Sequence, residues 1–238
     1  MLFNLLTDDA AIEKMTNVTF WLSIAALVLI VIVVVILCFA ARKMNTRTIV
    51  FAGITIALSF CLSYLKVTPV TYGGSVTLAS MIPVMIYAYF YGFGPGLLCG
   101  VCHGLLQFIQ SPYVLTPVTF ILDYILAFAS IAVVPLFKFI KNKPISLLVG
   151  ITVAYAVRFL FHFVSGIIYY NMGAIWVDLP TDTAFIYSFL YQCVYLIPDW
   201  VIAAVTGIIL SVSGVVGILE KQALKGLNKK EKAETKEN

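Results

Sequence analysis

The four main ionisable side chains inside otherwise apolar stretches of this sequence are Asp123, Arg158, His162 and Asp199. An ionisable group at membrane depth is costly, so each one marks either a functional site or a structural ion pair. Arg158 and Asp199 lie at similar depths in their apolar stretches, and we expect them to form an ion pair. Arg158 and His162 are four residues apart, which places them on one face of a helix.

A second set of polar residues shares one depth. Asp123, His162 and Gln192 each lie about six to eight residues from the outer end of an apolar run, which places them about 9–12 Å below the outer surface. A carboxylate beside aromatic faces suits a flat organic cation, and an amide suits the hydrogen-bonding edge of a heterocycle. We therefore predict an outward-facing pocket; some of the flanking tyrosines must also serve as interfacial anchors. Those tyrosines are Tyr113, Tyr124, Tyr169, Tyr170, Tyr187 and Tyr191.

The elements that must position these residues are membrane-spanning. Hydrophobic residues make up 62% of the chain and charged residues 11%, whereas soluble domains carry about 25% charge. The apolar runs lack the alternation of a barrel strand and have the length of helices. The sequence predicts an all-α integral membrane protein with seven transmembrane helices and no sizeable soluble domain. The runs are Phe20–Ala41, Ile49–Leu65, Leu78–Phe90, Leu97–Ile109, Pro117–Phe137, Ile145–Tyr170 and Ala184–Leu219.

Basic residues between the runs predict the orientation, because cytoplasmic loops are enriched in Lys and Arg. They fall in three groups that seven spans place on one side, so we expect an outer N-terminus and a cytoplasmic C-terminus. The acidic start is followed by a run long enough to span, which argues against a cleaved signal peptide. The groups are Arg42, Lys43 and Arg47; Lys138, Lys141 and Lys143; and Lys221, Lys225, Lys229, Lys230, Lys232 and Lys236.

One string suggests a different class of protein. Cys99-Gly100-Val101-Cys102-His103 matches the attachment string of c-type haem, which would make the chain a membrane redox protein or enzyme. The string lies inside an apolar run near the predicted cytoplasmic end, whereas covalent haem is attached on the outer side, so we favour packing and expect no cofactor. No phosphate-binding loop or nucleophile elbow is present, and the basic tail lacks the interleaved aromatics that would suggest nucleic acid.

Between Thr48 and Gly217 the chain resembles the thiamine-specific substrate-binding components of energy-coupling-factor vitamin transporters, the ThiT/YuaJ family. Several short strings carry the resemblance, in order and at similar spacing. The Asp-Tyr pair and the Arg-x-x-x-His pair are the most specific, because they also match in membrane depth. The strings are Ala57-Leu58-Ser59-Phe60, Ser80-Met81-Ile82-Pro83, Leu122-Asp123-Tyr124-Ile125-Leu126-Ala127-Phe128, Arg158, His162-Phe163, Gly166 and Tyr187-Ser188-Phe189-Leu190.

The resemblance implies a six-helix bundle at residues 48–219, preceded by an acidic segment and an extra helix at 1–47 and followed by a basic tail at 220–238. It implies high-affinity capture of thiamine without catalysis. The implied contacts are Asp123 beside Tyr124 for the cationic thiazolium, His162 and Tyr113 for the rings, Tyr170 for stacking, and Tyr187 and Gln192 for polar contact. Tyr170 stands where the family has Trp, Gln192 where it has Asn, Asp123 where some members have Glu, and Tyr72 is the aromatic nearest to a missing loop Trp.

The resemblance also implies partners: a membrane coupling subunit and two cytoplasmic ATPases. Family members dock through small residues on the first core helix, and Gly53 and Ala57 form such a pair here. Packing within the chain is the alternative interpretation of that pair. Two further alternatives remain open for the whole protein, namely a binding component for another vitamin or a thiamine precursor, and a self-sufficient secondary transporter.

Overall fold

The computed structural model describes residues 28, 32, 35, 44–69, 74–175, 181 and 183–225. The predicted extra helix at Phe20–Ala41 lies outside the described residues apart from three positions. Tyr72 and the predicted tail beyond residue 225 also lie outside them.

The described part of the chain is dominated by seven helices. Four of them, α1, α4, α5 and α6, are long and apolar enough to cross a membrane. The predicted all-α membrane fold is therefore confirmed. The helices are α1 Thr46–Ser63, α2 Ile82–Tyr91, α3 Phe93–Gln110, α4 Pro117–Phe137, α5 Lys143–Asn171, α6 Ala184–Val212 and α7 Val215–Leu224.

Local signals in the sequence set several helix ends. Asn45 and Asn142 cap α1 and α5 by accepting backbone N–H bonds, and Thr116 forms a capping box with Thr119 at the start of α4. The predicted run Ala184–Leu219 is wrong as a single helix. Gly214 adopts a left-handed conformation (φ 80°) after α6 and separates it from α7.

A short sheet joins α1 to α2, and the sequence did not predict it. Strand β1 (Lys66–Pro69) pairs antiparallel with β2 (Ser75–Thr77). The two strands have four and three residues, too few for a periodic pattern to stand out in an apolar sequence. This β1–β2 sheet lies at the end of α1 away from Arg47.

The centre of the bundle is tightly packed. Helix α2 has 10 residues and rises about 15 Å, half of a bilayer core, but its Val84, Met85 and Ala88 are fully buried. Helix α3 packs backbone to backbone against α4: a Cβ at Gly104 would overlap the carbonyl oxygen of Tyr124. Only glycine permits so close an approach.

Basic segments from separate parts of the chain meet at one end of the bundle. Glu220 on α7 lies 3.9 Å from the Lys138 ammonium and 2.6 Å from that of Lys143. The Arg47 guanidinium donates to the carbonyl oxygen of Gln222 over 2.6 Å. The start of α1, the α4–α5 connection and α7 therefore share one end, as expected for a multi-pass membrane protein whose basic loops lie on one side.

Candidate ligand-binding site

A cavity of about 780 Å³, counted with its open mouth, lies between the β1–β2 sheet and helices α3 to α6. Its lining combines charged, amide and aromatic side chains. The lining residues are Lys66, Gly74, Ser75, Gln107, Gln110, Ser111, Tyr113, Asp123, Tyr124, Phe128, Arg158, His162, Gly166, Tyr169, Tyr191, Gln192 and Tyr195.

Asp123 is the only carboxylate among the described residues that line this cavity. It lies in a π-helical segment of α4, Ile121–Leu126; such irregular turns are frequent at functional sites because they redirect a side chain. Oδ2 accepts a hydrogen bond from the Ser165 hydroxyl over 2.6 Å, and Oδ1 lies 2.8 Å from His162 Nδ1. Two neighbours thus fix the carboxylate in one orientation.

The tautomer of His162 follows from its partners. Arg158 Nε donates to His162 Nε2 over 3.3 Å, and because a guanidinium cannot accept, Nε2 must be the acceptor. The proton then sits on Nδ1, which donates it to Asp123. The imidazole is neutral in this arrangement, so the negative charge of Asp123 is not cancelled by its hydrogen-bond partner.

The predicted ion pair between Arg158 and Asp199 is confirmed, with 3.9 Å between Nη1 and Oδ2. The Arg158 guanidinium also lies 4.6 Å from the ring centroid of Phe128, a cation–π distance. Arg158 lines the cavity, whereas Asp199 lies behind it at 4% exposure. Asp199 therefore balances the charge of Arg158 from outside the cavity and leaves the charge of Asp123 available to a ligand.

Aromatic and amide groups complete the wall, and hydrogen bonds fix several of them. The Tyr124 hydroxyl donates to the Ser111 carbonyl over 2.7 Å, and the Tyr169 hydroxyl donates to the Tyr113 carbonyl over 3.2 Å. These bonds tie the segment after α3 to α4 and α5.

Both ends of the Gln192 amide are engaged. Nε2 donates to the His162 carbonyl over 3.0 Å, and Oε1 accepts from the Tyr195 hydroxyl. Gln107 differs, because its Nε2 is buried without a hydrogen-bond partner in the described part of the chain. A buried donor without a partner is costly, which makes it a candidate contact for a ligand's acceptor atom.

The structure brings together most of the residues predicted from the sequence. Tyr113, Asp123, Tyr124, His162 and Gln192 line the cavity. Tyr170 and Tyr187 lie outside its wall; the Tyr187 ring, 1% exposed, is 5.0 Å from that of Tyr170 and 6.3 Å from that of Tyr191. A ligand contact for these two residues stays a prediction.

Several lining residues were not among the predicted ligand contacts, although a signal for them exists. Arg158, Gly166 and Tyr169 share one face of α5 with the predicted contact His162, and the helical repeat selects Tyr169 rather than Tyr170. Tyr195 follows Gln192 by three residues on α6. Gln107 is an amide within the apolar run Leu97–Ile109, and Gln110 directly follows that run.

Two further predicted sets occupy other places. Gly53 and Ala57 are exposed on α1, and among the described residues no atom would lie within 4 Å of a Cβ at Gly53. Cys99 and His103 are buried in α3, with the His103 ring centroid 5.4 Å from that of Phe128. The described residues hold no group of three or more His, Cys, Asp or Glu arranged for a metal ion.

Comparison with known proteins gives a consistent picture. The family model described as "Thiamine transporter protein (Thia_YuaJ)" matches residues 49–217. Thiamine transporter ThiT of Bacillus subtilis (strain 168) is 30% identical over 145 residues, which cover 56% of this chain and 72% of that protein. A solved structure of ThiT from Listeria monocytogenes shares the fold, with a TM-score of 0.56 and 22% identity over 76% of this chain and 98% of that chain.

Proposed function

Because this chain belongs to the thiamine transporter family, we propose that it captures thiamine as the substrate-binding membrane subunit of an energy-coupling-factor importer. The family transports and does not catalyse, so the protein is not an enzyme. The observation that carries the proposal is the half-buried carboxylate of Asp123, held by two donors in an aromatic-walled cavity.

The cavity suits the chemistry of thiamine, in which a methylene group joins two flat rings, a permanently cationic thiazolium and a pyrimidine that offers acceptor and donor atoms. The cation would face Asp123, and the rings would lie against tyrosine faces such as those of Tyr169 and Tyr191. The unpartnered Nε2 of Gln107 would donate to a ligand acceptor. An uncharged ligand would leave the negative charge of Asp123 without a partner, which disfavours neutral vitamins.

Energy for uptake would come from partner subunits. The exposed Gly53 and Ala57 support docking of a membrane coupling subunit on α1, because a Cβ at Gly53 would meet no atom of the described residues within 4 Å, so packing among those residues does not explain the glycine. Small residues allow the close helix approach that such docking needs. The proposal includes two cytoplasmic ATPases bound to that coupling subunit, with the basic end of the bundle facing the cytoplasm.

The direct test is a thiamine titration of the detergent-purified full chain, followed by quenching of its Tyr and Trp fluorescence. We expect saturable binding in the nanomolar range, displaced more weakly by the separate pyrimidine and thiazole precursors than by thiamine. A folded chain without saturable binding would refute thiamine as the ligand.

Coupling is tested separately, by thiamine uptake into vesicles that hold the chain with or without its coupling subunit and ATPases. We expect uptake only when all subunits and ATP are present. Uptake by the chain alone would instead identify a self-sufficient transporter.

A further inference from the structure

Asp199 has an unusual set of partners for a residue that does not line the cavity. It is 4% exposed and directly follows Pro198 on α6. Oδ1 accepts the backbone N–H of Thr77 over 3.0 Å and the Thr77 hydroxyl over 2.9 Å. Oδ2 accepts the Tyr155 hydroxyl over 2.8 Å. One carboxylate thus joins α5, α6 and strand β2.

Strand β2 belongs to the wall of the cavity. Lys66, Gly74 and Ser75, which come from the β1–β2 sheet or its edge, line it. Gly74 also donates its backbone N–H to the Tyr191 hydroxyl over 3.3 Å, and a Cβ at Gly74 would lie 2.8 Å from the Tyr195 ring. The position of this wall therefore depends on α6, through Asp199 at one end of β2 and the tyrosines at the other.

The same carboxylate is linked to the ligand-facing charge. Arg158 pairs with Asp199 and donates to His162, and His162 donates to Asp123. Side chains therefore connect the β1–β2 sheet to Asp123 without interruption. A ligand cation beside Asp123 would change the charge at one end of this series of side chains. The β1–β2 sheet is held at the other end, by Asp199.

We propose that Asp199 is a positioning residue, which holds the β1–β2 sheet against the cavity and thereby slows release of the bound ligand. This inference rests on the proposed thiamine site. Asp199 does not contact the ligand. Its loss should therefore raise the dissociation rate of the ligand and change the association rate little.

The test compares two identical substitutions in the full-length protein. Thr77→Val removes the hydroxyl bonds to Asp199 and to Ser80 but leaves the Arg158–Asp199 pair in place. Thr152→Val is the matched control. The Thr152 hydroxyl on α5 accepts a hydrogen bond of 3.1 Å from Trp200 on α6 and lies away from the β1–β2 sheet. Thiamine association and dissociation are followed by stopped-flow fluorescence, and hydrogen exchange of residues 74–77 is measured without ligand.

We expect Thr77→Val to raise the dissociation rate about 3- to 10-fold, because it removes the hydroxyl bond to Asp199 while the backbone N–H of Thr77 still donates to the same oxygen, and we expect Thr152→Val to match the wild type. Amides of β2 should exchange faster in Thr77→Val alone. Asp199→Asn should raise the dissociation rate further, by about 10- to 100-fold, because the acceptor is charged.

Two outcomes separate this inference from the proposed function. If the wild-type chain binds thiamine but Thr77→Val releases it as slowly as Thr152→Val does, the positioning role is overturned and the thiamine site stands. If the folded wild-type chain binds no thiamine, the proposed function fails, and this inference fails with it. Should Asp199→Asn not fold, the pair of threonine variants still decides.

Discussion

Replacement of Asp123 by Asn tests whether the cavity recognises a positive charge. The substitution keeps the size and shape of the side chain. Its Oδ1 can still accept one of the two bonds now made by Ser165 and His162, at 2.6 and 2.8 Å, while its amide nitrogen faces the other donor. Two effects therefore combine, a local loss of one hydrogen bond and the removal of the negative charge that would face a cationic ligand.

The magnitude follows from the charge. A hydrogen bond or contact to an ionised group contributes about 1.5–3 kcal/mol, which corresponds to about 10- to 100-fold in affinity. The local rearrangement affects any ligand of the same shape, whereas the charge term affects only a cation. A thiamine analogue with an uncharged ring in place of the thiazolium separates the two effects.

The assay is a fluorescence titration of wild-type and Asp123→Asn proteins with thiamine and with the neutral analogue. We expect thiamine affinity to fall about 10- to 100-fold and affinity for the analogue to change by less than about 3-fold. Ser165→Ala is the matched control, because it removes a donor to the same carboxylate but keeps the charge. It should lower the affinity for thiamine by no more than about 10-fold. An equal loss for both ligands, or an unchanged affinity for thiamine in the folded variant, would refute the charge argument.

Three further variants test other parts of the molecule. Gly53→Leu should leave thiamine binding unchanged and abolish uptake by the assembled importer. Gly217→Leu is the control, at a second glycine with open space around it among the described residues, and it should preserve both binding and uptake. Loss of binding in Gly53→Leu would contradict a docking role. Gly104→Ala should lower the midpoint of thermal unfolding and lower the affinity for thiamine by at least about 10-fold, because its Cβ would overlap the Tyr124 carbonyl. Wild-type stability and affinity in this variant would show that α3 can move away from α4. Glu220→Gln should destabilise the fold by no more than about 1 kcal/mol in thermal unfolding, since its lysine partners are partly exposed to solvent; a larger loss would mean that these ion pairs hold α7 against the bundle.

The membrane helices could be predicted because their signal is simple. A span needs an apolar run of a given length, and the predicted Pro117–Phe137 and Ile145–Tyr170 lie close to the observed α4 and α5. The β1–β2 sheet could not be predicted, because strands of three and four residues leave no period to detect. The break at Gly214 was missed because the sequence stays apolar on both sides of it.

The sequence predicted the membrane depth of the site residues, but only partly the direction in which their side chains point. Depth follows from counting residues at 1.5 Å each, which placed Asp123, His162 and Gln192 in one layer, and all three line the cavity. Direction depends on the rotation of each helix, and a shift of one residue turns a side chain by about 100°. This is the difference between Tyr169, which lines the cavity, and Tyr170, which does not.

The glycine contact between α3 and α4 has a mechanical consequence. At Gly104 no side chain separates the two backbones, so there is no deformable layer along which one helix could slide past the other. The two helices must then move as one body at this level, and Asp123 moves with α3 as much as with its own helix. We therefore expect lateral pressure or a change in bilayer thickness that displaces α3 to move the carboxylate of Asp123 as well, and we expect the affinity of the proposed ligand to depend on lipid composition.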